Sequence, residues 1–165
     1  MAAKSWHPNQ PRLTTTGGSS IPEVLSFPEK ASQTFKAGTP VKLTTTAGTV
    51  EIATDGTTGF LGIAMEDASG TTSAALKVQV CRPDTEIIAR VTSNGTDALP
   101  TTLTQGVAYD WYIDSDSVFY VDAAATDGPV VIYEAPIFAA DGSSSYWGRF
   151  RLLEGQAGNL DEAGA

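Results

Sequence analysis

Residues 35–91 read as a succession of short alternating segments separated by glycine turns, and this pattern constrains the fold more than any other feature of the chain. Val41, Leu43 and Thr45 fall on one face of an extended segment, and Val50, Ile52 and Thr54 line the matching face of the next. Ala47-Gly48 between them can supply the turn of a hairpin. Asp55-Gly56 and Gly59 lead into a strand expected near residues 60–65. Leu76, Val78 and Val80 alternate with Lys77, Gln79 and Cys81, and Ile87, Ala89 and Val91 alternate with Ile88 and Arg90. Asn94-Gly95 then breaks the chain. A period of two sustained through so many turns excludes an amphipathic helix over this stretch.

A second strand group follows at 107–113 and 118–121, hinged at Asp114-Ser115-Asp116, with further strands expected at 130–133 and 146–153. In the last of these Tyr146, Gly148, Phe150 and Leu152 oppose Trp147, Arg149 and Arg151. Strands recurring about every 8–12 residues, with turn residues between, indicate an all-β sandwich or barrel with little helix. Composition agrees: only 18% of residues are charged, and polarity comes largely from threonine, whose branched Cβ suits a half-exposed pleated surface. Gly38-Thr-Pro-Val-Lys-Leu with Thr49-Val-Glu-Ile, and Gly106-Val-Ala-Tyr-Asp-Trp-Tyr-Ile with Val118-Phe-Tyr-Val, are both glycine-led hairpins, a motif shared by the two halves.

The ends differ from the body. Pro8, Pro11, Pro22 and Pro28 interrupt residues 1–34, and Thr14 to Ser20 form a polar tract, so an extended N-terminal arm is expected there. Trp6, Leu13, Ile21, Val24, Leu25 and Phe27 stud this arm with apolar anchors. Such an arm either orders against a partner or wraps its own domain. Residues 35–153 form a single β-rich domain, and 154–165 an acidic, Gly/Ala-rich flexible tail.

Catalytic chemistry finds little purchase. His7, the sole histidine, precedes a proline in the arm, where nothing holds a general base in fixed geometry. Cys81, the sole cysteine, excludes an intrachain disulfide and reads as a small strand residue. Asp110, Asp114, Asp116, Asp122 and Asp127 gather around one hairpin. Asp114-Ser115-Asp116 can offer oxygen ligands to calcium, but the EF-hand spacing fails, and aspartate is equally a turn residue. Trp111, Tyr112, Tyr109, Phe119 and Tyr120 lie beside this cluster, and Trp147 lies further on; they read as core or subunit-interface aromatics, or as a ligand platform. Asn94-Gly95-Thr96 matches a glycosylation sequon but reads as a turn, since no secretory signal is visible. No cofactor, metal or enzymatic activity is expected. A net charge of −9 disfavours nucleic acid and anionic membranes, and no stretch approaches the roughly 18 apolar residues of a membrane span.

At Phe35-Lys-Ala-Gly-Thr-Pro-Val-Lys-Leu, Gly48-Thr-Val-Glu-Ile-Ala, Gly62-Ile-Ala-Met-Glu-Asp-Ala and Val78-Gln-Val the chain resembles the capsid decoration, or cement, proteins of tailed bacteriophages. The resemblance covers roughly residues 35–92. It implies a small β-barrel or β-tulip-like module, made in the host cytoplasm and carried on the outer surface of the virion capsid. The implied partner is the major capsid protein, and the implied oligomer is a homotrimer. The arm anchors Trp6, Leu13, Ile21, Val24, Leu25 and Phe27 would then grip the capsid, and Trp111, Tyr112 and Trp147 would serve a subunit interface or a ligand. The alternative expectation is a carbohydrate-binding or host-attachment β-module centred on Trp111, Tyr112 and the Asp114/Asp116 turn. A small hydrolase using the aspartate cluster ranks third.

Overall fold

The computed structural model describes residues 12–14, 23–44, 47–54, 60–82, 85–93, 96–97, 104, 107–113, 119–124, 130–138 and 146–152. Among these the protein is all-β and contains no helix. The chain runs through β1 (Arg12–Thr14), β2 (Val24–Pro28), β3 (Pro40–Leu43), β4 (Val50–Ile52), β5 (Phe60–Ala64) and β6 (Ala75–Val80). It continues through β7 (Glu86–Ser93), β8 (Thr96–Asp97), β9 (Ala108–Ile113), β10 (Phe119–Asp122), β11 (Val130–Phe138) and β12 (Tyr146–Leu152). A five-stranded sheet has the order β2-β6-β5-β3-β4. A seven-stranded sheet has the order β1-β7-β10-β9-β11-β12, with β8 beside β7 and β12 also pairing with β7. The two sheets share a core, so the fold is sandwich-like rather than one closed barrel.

The expected hairpins form. Val41 lies opposite Ile52 and Leu43 opposite Val50. At the turn Gly48 takes φ +60, and Thr44 and Thr49 join through their hydroxyls at 2.9 Å. Phe119 to Asp122 pair with Ile113 to Asp110 as the sequence of the second group suggests. Alternation in β6 buries Leu76, Val78 and Val80 as expected.

Strand β5 departs from simple alternation. Val41 pairs with Gly62 and Lys42 with Phe60, so Leu61 is an extra residue, a β-bulge. The bulge resets the side-chain phase, and β5 is buried along its whole length. Leu61 and Ala64 join Phe35, Val41, Val50, Leu76, Val78 and Val80 in one core. Phe60 and Ile63 instead join Ala53, Cys81, Ile87, Ala89, Val91, Tyr109, Trp111, Val121 and Phe150 in the core shared with the larger sheet. One strand thereby ties both cores together.

The structure corrects the extended arm and its boundary at residue 34. Two stretches of it are strands of the body: β1 pairs with β7 in the larger sheet, and β2 pairs with β6 in the smaller one. Two of the hydrophobic anchors, Leu25 and Phe27, find partners within the same chain, half-buried against the smaller sheet's core. Residues 154–165, expected as a tail, lie outside the described residues.

Candidate functional site

Two surfaces gather groups that can engage a partner. The first is the edge of the smaller sheet. Val80 donates its N–H to the Glu23 carbonyl, and Glu29 donates its own to Ala74, so the odd-numbered residues of this segment bond inward to β6. Even-numbered residues therefore point their backbone groups outward. Lys30 shows where that leads: its N–H bonds to the Val50 carbonyl of β4 at 2.9 Å. Pro28 sits at an outward position and has no N–H to offer. Val24 and Ser26 occupy the remaining outward positions on this edge.

A buried carboxylate holds the end of β2 in place. Glu29 is 1% exposed and accepts the Ser69 N–H at 2.9 Å, the Ser69 hydroxyl at 2.9 Å and the Gly70 N–H at 2.6 Å. Its carbonyl accepts the Ser73 N–H, and Glu29 itself bridges Val50 in parallel register. Burial of this carboxyl group is tolerated because three donors converge on its oxygens. Ser32 and Ser73, at φ 61 and 62, are the non-glycine residues with positive φ among those described, and both flank this clasp. The segment after β2 also closes the other edge of the sheet, where the Gln33 side-chain carbonyl accepts the Ile52 N–H at 3.0 Å and Lys30 pairs with Glu51.

The second surface is the face of the larger sheet turned away from the shared core. Glu86, 4% exposed, pairs with Arg149 at 3.7 Å and Arg151 at 3.6 Å across the β7–β12 ladder. Arg90, 7% exposed, places its guanidinium carbon 5.2 Å from the centroid of the Tyr120 ring. Tyr120 in turn lies 6.4 Å from Tyr112, tilted by 49°. Asp110 and Asp122 are register partners beside this group, and Asp122 accepts the Ala124 N–H at 2.9 Å.

The residues anticipated for function are thus scattered. Val24 is 47% exposed, the exposed large hydrophobic among the described residues. Leu25 and Phe27 pack inward, and Leu13 sits in β1 opposite Ile87. Trp6, Ile21, His7, Asp114, Asp116, Asp127 and the Asn94-Gly95 turn lie outside the described residues. Trp111 is not a platform: it is 2% exposed and stacks on Phe60 in the shared core, with centroids 5.8 Å apart. Tyr112 and Trp147 are half-buried on the opposite face. Cys81 is buried in the shared core. Among the described residues no group of three or more His, Cys, Asp or Glu side chains is placed to hold a metal ion.

Sequence reasoning passed over Glu29, Glu86 and Arg90. For Arg90 no local signal exists, because its neighbour Tyr120 arrives through the parallel β7–β10 pairing. Glu29 carried a faint one, as an acidic residue directly after an alternating Leu25-Ser26-Phe27 run and a proline. No protein-family model matches this sequence, and a search of curated proteins finds no match to it.

Proposed function

We propose that this chain is a structural virion protein that binds the outer surface of a phage capsid and holds neighbouring major capsid subunits together. The observation that carries the reading is the fate of the four motif segments. Each contributes a strand, β3, β4, β5 or β6, to a single sheet, and among the described residues that sheet ends on the outward edge of β2. A rigid body that ends, among the described residues, on a strand edge suits strand addition, in which main-chain hydrogen bonds supply affinity and alternate side chains supply register. Exposed Val24 and the outward backbone groups of Val24 and Ser26 would meet an extended segment of the capsid subunit. Trimeric assembly over a symmetric shell would multiply modest contacts through avidity. Binding only the assembled shell would stabilise it by mass action, a role that asks for no catalytic group.

Co-sedimentation with purified, undecorated expanded phage heads tests this. The full chain is expected to saturate the heads at a fixed ratio and to raise their rupture temperature. Ser26→Pro removes one outward donor without touching the bonds to β6, and is expected to weaken binding about tenfold. Truncation of residues 1–11 spares both β1 and β2 and measures the share of Trp6, whereas longer truncations remove strands of the body. Absence of head binding by the full chain would overturn the proposal.

A further inference from the structure

The charged face of the larger sheet contains an ordered row. Tyr112 and Tyr120 are register partners across β9 and β10. In the parallel pair of β10 with β7, Val121 opposes Val91 and Asp122 opposes Thr92, which sets Tyr120 beside Arg90. On its other side Arg90 is the register partner of Trp147 in β12. Laterally adjacent partners point to the same face of a sheet. Tyr112, Tyr120, Arg90 and Trp147 therefore occupy successive register positions on the same face of four neighbouring strands. Val121, Val91, Trp111 and Phe150, of opposite phase, fill the core behind it.

The row has a buried polar floor and a half-buried aromatic rim. Arg90, Asp122 and Thr92 are at most 7% exposed, while Tyr112, Tyr120, Trp147 and Asp110 are partly open. A floor carrying charges of both signs is unlike the centre of a protein–protein interface, which is depleted of charge. Aromatic rows also stack nucleobases, but phosphates would meet Asp110, Asp122 and the field of a chain whose net charge is −9.

We propose that this row is a saccharide-binding platform. A sugar ring has apolar C–H faces and hydroxyls around its edge. Aromatic rings, electron-rich on their faces, accept the C–H face. At the margin the half-buried Asp110 carboxylate supplies acceptors for hydroxyls, and the Arg90 guanidinium beneath fixes the Tyr120 ring. Tyr112 and Tyr120, with ring centroids 6.4 Å apart, offer two adjacent aromatic rings to a saccharide, the expected ligand class. This surface lies on the other sheet from the β2 edge, and its ligand does not depend on the capsid role.

The test is a microarray of defined mono- and oligosaccharides probed with the full chain. Intrinsic-fluorescence titration with the soluble oligosaccharides that score, and with an oligothymidylate, would follow. Saccharide binding is expected, weakened about tenfold or more by Tyr120→Ala and by Tyr112→Ala and largely kept by Tyr120→Phe, with the far-ultraviolet circular dichroism unchanged. If an alanine variant fails to fold, Asp110→Asn decides, since it alters charge with little change of shape: reduced affinity supports the platform and unchanged affinity overturns it. No saccharide binding at millimolar concentration, saccharide binding indifferent to these substitutions, or binding of the oligothymidylate alone would each overturn the proposal.

Discussion

At the scale of single residues, two glycines of the smaller sheet are fixed for different reasons. A Cβ on Gly62 would lie 2.1 Å from the backbone carbonyl oxygen of Gln79, so the backbones of β5 and β6 pack where no side chain fits. Gly48 instead has open space around it, and its constraint is φ +60, a conformation that L-residues adopt at a cost. Gly62→Ala is therefore expected to lower the unfolding free energy by about 3 kcal/mol, through displacement of β6. Gly48→Ala should lower it by about 1 kcal/mol. Urea denaturation of both variants checks the order, and a smaller loss at Gly62 would refute the close-packing account. Gly48 was legible from sequence as a turn between two alternating runs. The close approach at Gly62 was not, because it depends on a strand that arrives later in the chain.

At the scale of elements, β2 is the strand that decides how the smaller sheet meets its surroundings. Its inner side is satisfied by β6, and the residues that follow it, Glu29 and Lys30, cross to β4 under the Glu29 clasp. Pro28 stands at an outward position, a device that blunts an edge against unwanted pairing. Pro28→Thr would restore an outward donor and extend the open edge. Sedimentation velocity is expected to show more self-association than in the unsubstituted chain, increasing with concentration; identical profiles would mean that the proline has no such role. The hairpins β3–β4 and β9–β10 were readable because their partners are neighbours in sequence and their alternation is regular. β2 was not, since Pro22 precedes it, Pro28 is its last residue and its partner lies far along the chain.

Taken as a whole molecule, the two sheets are joined by Phe60 and Ile63 of β5, which enter the core of the larger sheet, and by the stack of Phe60 on Trp111. β1 adds a second tie by carrying the N-terminal segment across to β7. Shared burial of this kind predicts one cooperative unfolding transition. Trp111→Ala should cost about 3–5 kcal/mol while leaving that transition single. Coincident near- and far-ultraviolet circular dichroism melts in denaturant provide the check, and two separated transitions would show that the sheets fold independently. The same burial puts Trp111 out of reach of a ligand, because it faces inward, whereas its chain neighbours Asp110 and Tyr112 face the other way.

Sequence by itself determined the all-β class, the principal strands and the hairpin turns, because a two-residue period and local turn chemistry are properties of neighbouring residues. It also determined which residue types were available for chemistry. Only the tertiary structure decided that parts of the N-terminal arm belong to the sheets, that one bulge divides β5 between two cores, and that Arg90 stands between Tyr120 and Trp147. Each of these depends on pairing between segments distant in the chain. The free energy of such pairing comes from burial and backbone bonds shared by both partners, and no local pattern in either one records it.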